Sequence, residues 1–262
     1  MPLAFTLDLK REYQHLFDHC DIPDEKYSVV DNCVRKIVAS KPRYEAVSTQ
    51  TGIPWYFIGI IHMMECSGDF TCHLHNGDPL TARTVHVPKN CPANGNPPFT
   101  WEDSAIDALK MKSLDQWTDW SVPGILFQFE RYNGFGYRSK NIKSPYLWSF
   151  SSHYKKGKFT SDGFFDPNAV SRQIGAAVLL RRMSEQQIAV AGEVDTITRI
   201  RQTGEQVVFD PVVYDPLAKE LQQLLNIAGI HLRTDGKAGR LTSDAYHRIM
   251  GRYLRGDRRA DE

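Results

Sequence analysis

The segment "FIGIIHMMECSGDF" (residues 57–70) ends an apolar run in Glu65. Phe57, Ile58, Ile61, His62 and Glu65 recur at spacings of three and four, which places them on one face of a helix. A carboxyl at the end of such a face is held partly out of water. Its charged form is then poorly solvated, its pKa rises, and it can serve as a general acid near neutral pH. Cys66, Ser67 and Gly68 follow as small residues that let the chain leave the helix. A second group lies in "ERYNGFGYR" (130–138), where Tyr132 and Asn133 sit at a predicted helix end with Phe135 and Tyr137 beyond. Aromatic rings stack on sugar faces, and an asparagine amide both donates and accepts hydrogen bonds. The plain alternatives are a helix-terminal salt bridge for Glu65 and an Asn-Gly helix cap for residues 133–134.

The elements that must position these groups are mainly helical. In 26–39, Val30, Cys33, Val34, Ile37 and Val38 form one stripe. A short helix is expected over 44–50, and Pro54 suits the first turn of the helix that ends near Glu65. Residues 70–88 read as a β-hairpin around the turn "HNGDP", and 89–99 as loop. Thr100 caps a helix over 100–112, and 122–134 is a short apolar helix. Residues 144–165 read as an irregular aromatic loop, and 166–183 as a helix.

Composition shifts after about residue 188. Residues 189–212 lack a helical stripe and read as a linker. Residues 213–257 read as helix, turn, helix, with one stripe of Leu217, Leu221, Leu224, Leu225 and Ala228. Ala245, Tyr246, Ile249, Met250 and Tyr253 form the other. Thr242 is expected to cap the second helix, the glycines of "DGKAG" to take positive φ, and 258–262 to fray. The fold class is therefore mainly α, with a small hairpin in the first domain (1–188) and a small helical second domain.

The chain has 262 residues, 41% hydrophobic, and a formal net charge of +1. That balance favours neither nucleic acid nor a membrane surface. No apolar run reaches about 18 residues, so stable membrane insertion is not expected. The charged N-terminal stretch does not read as a secretory signal. The five cysteines are widely spaced without a C-x-x-C pair and read as free thiols of a chain made in a reducing compartment. His62 and Cys66 lie four apart on one helix, a poor arrangement for a thiolate and its base, and His62 reads as a packed core histidine. His73 and His75 would share a strand face, but no third ligand lies at a metal-site spacing; no metal and no cofactor are expected.

Taken together, Glu65 at its helix end after "TGIPWYFIGIIHMME" and the later "YN-G" element resemble the lysozyme superfamily. The order is similar to that of soluble lytic transglycosylases and goose-type lysozymes. Here "ECS" stands for the family's glutamate-serine pair, with Cys66 inserted, and "ERYNGFGYR" for its "AYNAG"-like motif; the GLMQ-type stretch of the transglycosylases is missing, and "HNGDPLTART" in its place is closer to lysozyme and chitinase hairpins. The resemblance covers about residues 40–185. It implies a lysozyme-like α+β domain in which Glu65 is the general acid and Tyr132 and Asn133 hold substrate, with Tyr137, Trp148 and Thr84 as further substrate contacts. Other tryptophans are read as packing. Inverting hydrolysis needs a second carboxylate about 6.5–9.5 Å from the acid, and retention through a nucleophile about 5–5.5 Å. The candidates are Asp69 and Asp78, with Thr81 and Thr84 placing a water. A transglycosylase needs neither, because the substrate's 6-hydroxyl closes on the anomeric carbon. The hairpin's aspartate and threonines lean the reading towards hydrolysis.

Residues 214–256 resemble a peptidoglycan-binding domain of the small three-helix type, which implies a three-helix second domain. "LQQLLNIAG" matches its L-Q-x-x-L stretch, and Asp235, Gly236, Gly239, Thr242 and Ala245 match its D-G-x-x-G-x-x-T-x-x-A spacing. Both resemblances imply the same polymer. They lead to an expected monomeric peptidoglycan-cleaving glycosidase, reaching the wall after phage-type release or dedicated export. The alternatives are a lytic transglycosylase, a non-catalytic wall-binding or structural protein, and a chitinase-like enzyme.

Overall fold

The computed structural model describes residues 3–260 apart from 162, 189–199 and 202. It is mainly helical with a small two-stranded antiparallel sheet. The chain forms two compact units, Met1–Ile188 and Ala189–Glu262.

The first unit is built around α4 (Trp55–Cys66), in which every residue from Tyr56 to His62 is buried. A helix that is apolar all round has to be enclosed on all sides. α2 (Tyr27–Ala39), α3 (Lys41–Thr51) and α8 (Ala176–Glu185) pack directly on it. A Cβ on Gly59 would stand 2.6 Å from Ile37 Cγ2 and 3.0 Å from the Tyr44 ring, so only glycine lets α4 approach α2 and α3 this closely. From α6 (Val122–Asn133), Phe129 stacks on Phe57 with ring centroids 4.6 Å apart. α1 (Leu7–Asp18) packs on α6, α5 (Trp101–Met111) on α3, and the short α7 (Pro145–Trp148) lies between α6 and α8. Thr100 caps α5 as expected, its hydroxyl accepting the Asp103 N–H.

The predicted hairpin at 70–88 is absent as a strand pair. Cys72 and Pro79 make one antiparallel bridge, and no strand is built on it. The backbone N–H groups of Val85 and His86 bond to the Asp78 carboxylate instead of to a neighbouring strand, and Pro79 and Pro88 have no N–H to offer. The hairpin of this unit lies where an irregular loop was expected: β1 (Lys158–Ser161) pairs with β2 (Phe164–Asp166). The helix expected over 166–183 begins only at Ala176. Asp166 accepts the N–H groups of Asn168 and Ala169, fixing a turn. Gly175 lies against the Leu147–Trp148 backbone with no room for a Cβ.

In the second unit, α9 (Pro216–Ile227) and α10 (Arg240–Met250) are the expected helices. Leu221, Leu224, Leu225, Ala245 and Tyr246 are buried, whereas Leu217 and Ala228 at the ends of the first stripe are exposed. Two expectations are corrected. The described part of the presumed linker belongs to this core: residues 200–206 are helical where described, Ile200 and Val207 are fully buried, and a Cβ on Gly204 would strike the Tyr246 ring. The described tail is also pinned, because Arg259 bridges Asp257 and Asp244, and Asp257 accepts the Ser243 hydroxyl.

The residues of the two matched motifs meet at Gln222, which is 2% exposed. Its Nε2 lies 3.0 Å from Asp235 Oδ1, 3.0 Å from Lys237 O and 3.1 Å from Thr242 Oγ1, and its Oε1 accepts the Gly236 N–H at 2.9 Å. Thr242 is thus a buried partner of Gln222 rather than a helix cap; Gly239 occupies the cap position. Gly236 has φ +71° as expected, while Gly239 has φ −82° and needs no glycine conformation. Removing one partner leaves buried polar groups unsatisfied. Gln222→Ala should therefore lower the unfolding free energy of the second unit by about 1–3 kcal/mol, read from its denaturant midpoint.

Candidate active site

α4 ends where its apolar enclosure ends. Ser67 and Gly68 take left-handed φ of 54° and 77°, and the Gly68 N–H returns to His62 O at 3.3 Å. Glu65 sits in this last turn. The residue is exposed, yet protein atoms crowd its carboxyl enough that desolvation raises its pKa. Its position in the last turn of α4 acts in the same direction, since the negative end of the helix dipole disfavours a carboxylate.

Two weaker effects oppose the desolvation. The Tyr146 hydroxyl donates to Glu65 Oε1 at 2.7 Å, and the Lys112 ammonium attracts the charged form. Tyr146 comes from α7 and is itself buried. Lys112 caps α5 and holds its Nζ 4.6 Å from the centroid of the Tyr132 ring. Tyr132, near the end of α6, feels the charge of Glu65, and its hydroxyl points to Leu74 O at 3.4 Å. Asn133 is exposed beside it as the last residue of α6, and Gly134 follows at φ +94°. The ends of α4, α5 and α6 and the short α7 therefore converge on Glu65.

The motif "ERYNGFGYR" owes its shape to its own first and last residues. Glu130, 3% exposed, accepts from Arg138 at 2.8 Å and from the Tyr13 hydroxyl at 2.5 Å. That closure fixes the turn following Tyr132 and Asn133.

Other expected site residues are placed elsewhere. Trp148 is 1% exposed, with its ring nearly perpendicular to that of His153; the cavity it borders is lined by Glu12, Glu130, Arg138 and Lys143 and not by Glu65. Tyr137 is buried, and its hydroxyl accepts the Phe159 N–H, anchoring β1. Thr84, 1% exposed, clamps the following loop: its hydroxyl donates to Pro88 O and accepts the Cys91 N–H. Thr81 is exposed.

Asp78 is held on every side by its own loop, and Asp69, though exposed, is tied to its own turn. Asp69 accepts the N–H and hydroxyl of Thr71 at 2.8 and 2.7 Å, a local turn that lowers its pKa. Asp78 accepts His86 Nδ1 at 2.6 Å, the Val85 and His86 N–H groups at 2.7 and 3.0 Å, and Asn76 Nδ2 at 3.1 Å. These hydrogen bonds hold its pKa far below the usual carboxylate range. Asp78 organises the loop.

His62 is packed, not catalytic. It is fully buried among Tyr44, Phe70 and Trp101. Its Nε2 faces Asp69 O and therefore carries the proton, so Nδ1 accepts from the Tyr44 hydroxyl. Burial lowers its pKa to about 4, which keeps it neutral. The Cys66 thiol is pushed up to about 12 by burial and by Glu65, and so is no nucleophile at neutral pH.

Tyr146 and Lys112 were not found from sequence. The aromatic signal around 144–150 was real, but it fell on Trp148. Two residues apart on a helix, side chains point about 200° apart, and residues 145–148 read as loop gave no reason to choose between them. Comparison with protein-family models, with curated proteins and with solved structures finds no match for the chain.

The Asp78 network has a pH signature. Its folded-state pKa is depressed, so its contribution is complete above the ordinary aspartate value and is lost as pH falls through the folded value. Asp78→Asn should lower the melting temperature at pH 7. The gap to wild type should narrow as pH drops below about 4, in melting curves recorded across the acid range.

Proposed function

We propose that the chain cleaves the glycan strands of peptidoglycan, with Glu65 protonating the glycosidic oxygen between N-acetylmuramic acid and N-acetylglucosamine. The observation that carries this reading is the Glu65 carboxyl: reachable by solvent, raised in pKa by burial, and held by Tyr146 at a junction of helix ends. Tyr132 and Asn133 lie at the same junction and suit a sugar with ring and amide. The resemblance of both parts of the chain to wall-directed families supports the polymer. The second unit would concentrate the first on an insoluble substrate, an effective-concentration gain. The enzyme would reach the wall after release or dedicated export.

The engagement of Asp69 and Asp78 in their own loops favours the transglycosylase route. There the 6-hydroxyl of the substrate closes on the anomeric carbon as the glycosidic bond breaks, and its proton returns to the Glu65 carboxylate. A hydrolase would instead need a second group to place water.

Purified peptidoglycan digested with wild type should yield muropeptides with anhydro ends, lighter by one water, in mass spectra. Reducing N-acetylmuramic ends would reverse the choice of route. No cleavage by wild type would sink the enzyme reading and leave a binding protein. Glu65→Gln should lower turnover by about 10²–10⁴-fold, the typical worth of a general acid.

The pH profile tests the assignment separately. Activity should fall as pH rises through the raised Glu65 pKa. The Tyr146 hydroxyl stabilises the carboxylate, so Tyr146→Phe should raise that pKa further and move the basic limb of kcat/KM upward. A limb that does not move would remove Glu65 as the titrating acid.

A further inference from the structure

The stretch between α4 and α5, residues 67–100, contains no helix or strand. Loops of this length are uncommon in compact domains and need something to hold them. Much of the holding is visible: the Asp78 network, the Thr84 clamp, and His73, which is fully buried. One cluster in the stretch remains unexplained by these contacts. His75, Cys91 and Asp107 bring their ligand atoms within 4.8 Å of one another. The His75 side chain is fully enclosed, Cys91 is 6% exposed and Asp107 is 28% exposed. The three come from the loop after α4, the loop closed by Thr84, and α5.

Proton placement shows what holds the imidazole. His73 Nε2 lies 2.8 Å from Ala82 O, and a carbonyl only accepts, so Nε2 carries the His73 proton. His73 Nδ1 then accepts the single Ser104 hydroxyl proton, at 2.7 Å. Ser104 stands 3.5 Å from His75 Nδ1, too far to set the tautomer of that ring. Asp107 Oδ2 only accepts and lies 2.9 Å from His75 Nε2, so Nε2 carries the proton and donates to it. A metal ion in place of that one proton would meet an imidazole nitrogen, a carboxylate oxygen and the nearby Cys91 sulfur together.

We propose that His75, Cys91 and Asp107 form a zinc site that ties the 67–100 stretch to α5. One imidazole, one thiolate and one carboxylate suit zinc and not magnesium or calcium, which take oxygen ligands. Bonds of about 2.0–2.3 Å at tetrahedral angles put ligand atoms about 3.2–3.7 Å apart. Closing the widest separation takes about 1 Å of side-chain rotation. Zinc forms bonds to Nε2, Sγ and a carboxylate oxygen; the His75 ring proton moves to Nδ1, and the Cys91 thiol proton is released to water. The partly exposed Asp107 side leaves the fourth position to a water molecule. Ser104 then faces the Nδ1 proton, as the outer partner of a metal-bound imidazole does. Thr84 fixes Cys91 from both sides, since its hydroxyl takes the Cys91 N–H and its own N–H donates to Cys91 O at 2.9 Å.

The test uses the full chain, expressed with zinc and purified with a reductant and no chelator. Metal analysis should find about one zinc per chain. After removal of zinc, cobalt(II) should produce a thiolate-to-cobalt charge-transfer band in the near ultraviolet. Cys91→Ser should lose that band, and Asp107→Asn should keep it while binding at least about tenfold more weakly. Stripped of zinc, both variants should match chelated wild type in melting temperature, which separates metal loss from misfolding. Wild type without zinc and without the cobalt band would overturn the proposal, leaving the His75–Asp107 hydrogen bond as the role of the cluster. A full band in Cys91→Ser would overturn it too, by assigning the metal to another thiol. Neither readout depends on wall cleavage.

Discussion

The first unit depends on a helix that has no polar side. From Tyr56 to His62, α4 is buried at every position, and such a helix is stable only inside a shell of other helices. Burial of its large side chains supplies hydrophobic stabilisation of about 1.5–3 kcal/mol each. The shell leaves space for no more than a hydrogen atom at Gly59. Glu65 lies where the shell stops. Its chemistry is a boundary effect: one turn earlier a carboxylate would be deeply buried, and beyond Gly68 it would be fully hydrated.

At that boundary opposing influences set the protonation state. Crowding disfavours the carboxylate, while a hydrogen bond from Tyr146 and the charge of Lys112 favour it, and crowding prevails. The result is an acid that keeps its proton to higher pH than an exposed glutamate while remaining reachable. The neighbouring His62 has been removed from proton chemistry by the same burial, with both ring nitrogens committed. The Cys66 thiol is likewise silenced. Of the ionisable groups in the last turn of α4, Glu65 is the one left available.

Between α4 and α5 a different physics operates. The 67–100 stretch buries few large apolar side chains and is organised by side chains bonding to backbone. Asp78 gathers its own turn, Thr84 closes the next, and His73 spans to α5 through Ser104. Networks of this kind are costly when incomplete, because each unpaired group has already lost its water. The His75–Asp107 pair ties the same stretch to α5.

The sequence by itself determined the helices and the place of Glu65 on one of them. Periodicity and caps are local properties, so α2 to α6, α9 and α10 were legible from spacing, and so was the helix end that carries the acid. The meeting of the two C-terminal motifs was legible as a pattern, though not the reason for it, a single buried amide at Gln222. Tertiary structure decided which side chains meet. Tyr146 reaches Glu65 across 81 residues, and Asp107 reaches His75 across 32. No spacing rule predicts either, because each distance is set by how helices pack around α4. The 70–88 stretch failed as a hairpin for a related reason. Its turn signal was genuine, but an aspartate can bond its own backbone as readily as a strand can, and only the folded chain shows which acceptor those N–H groups found.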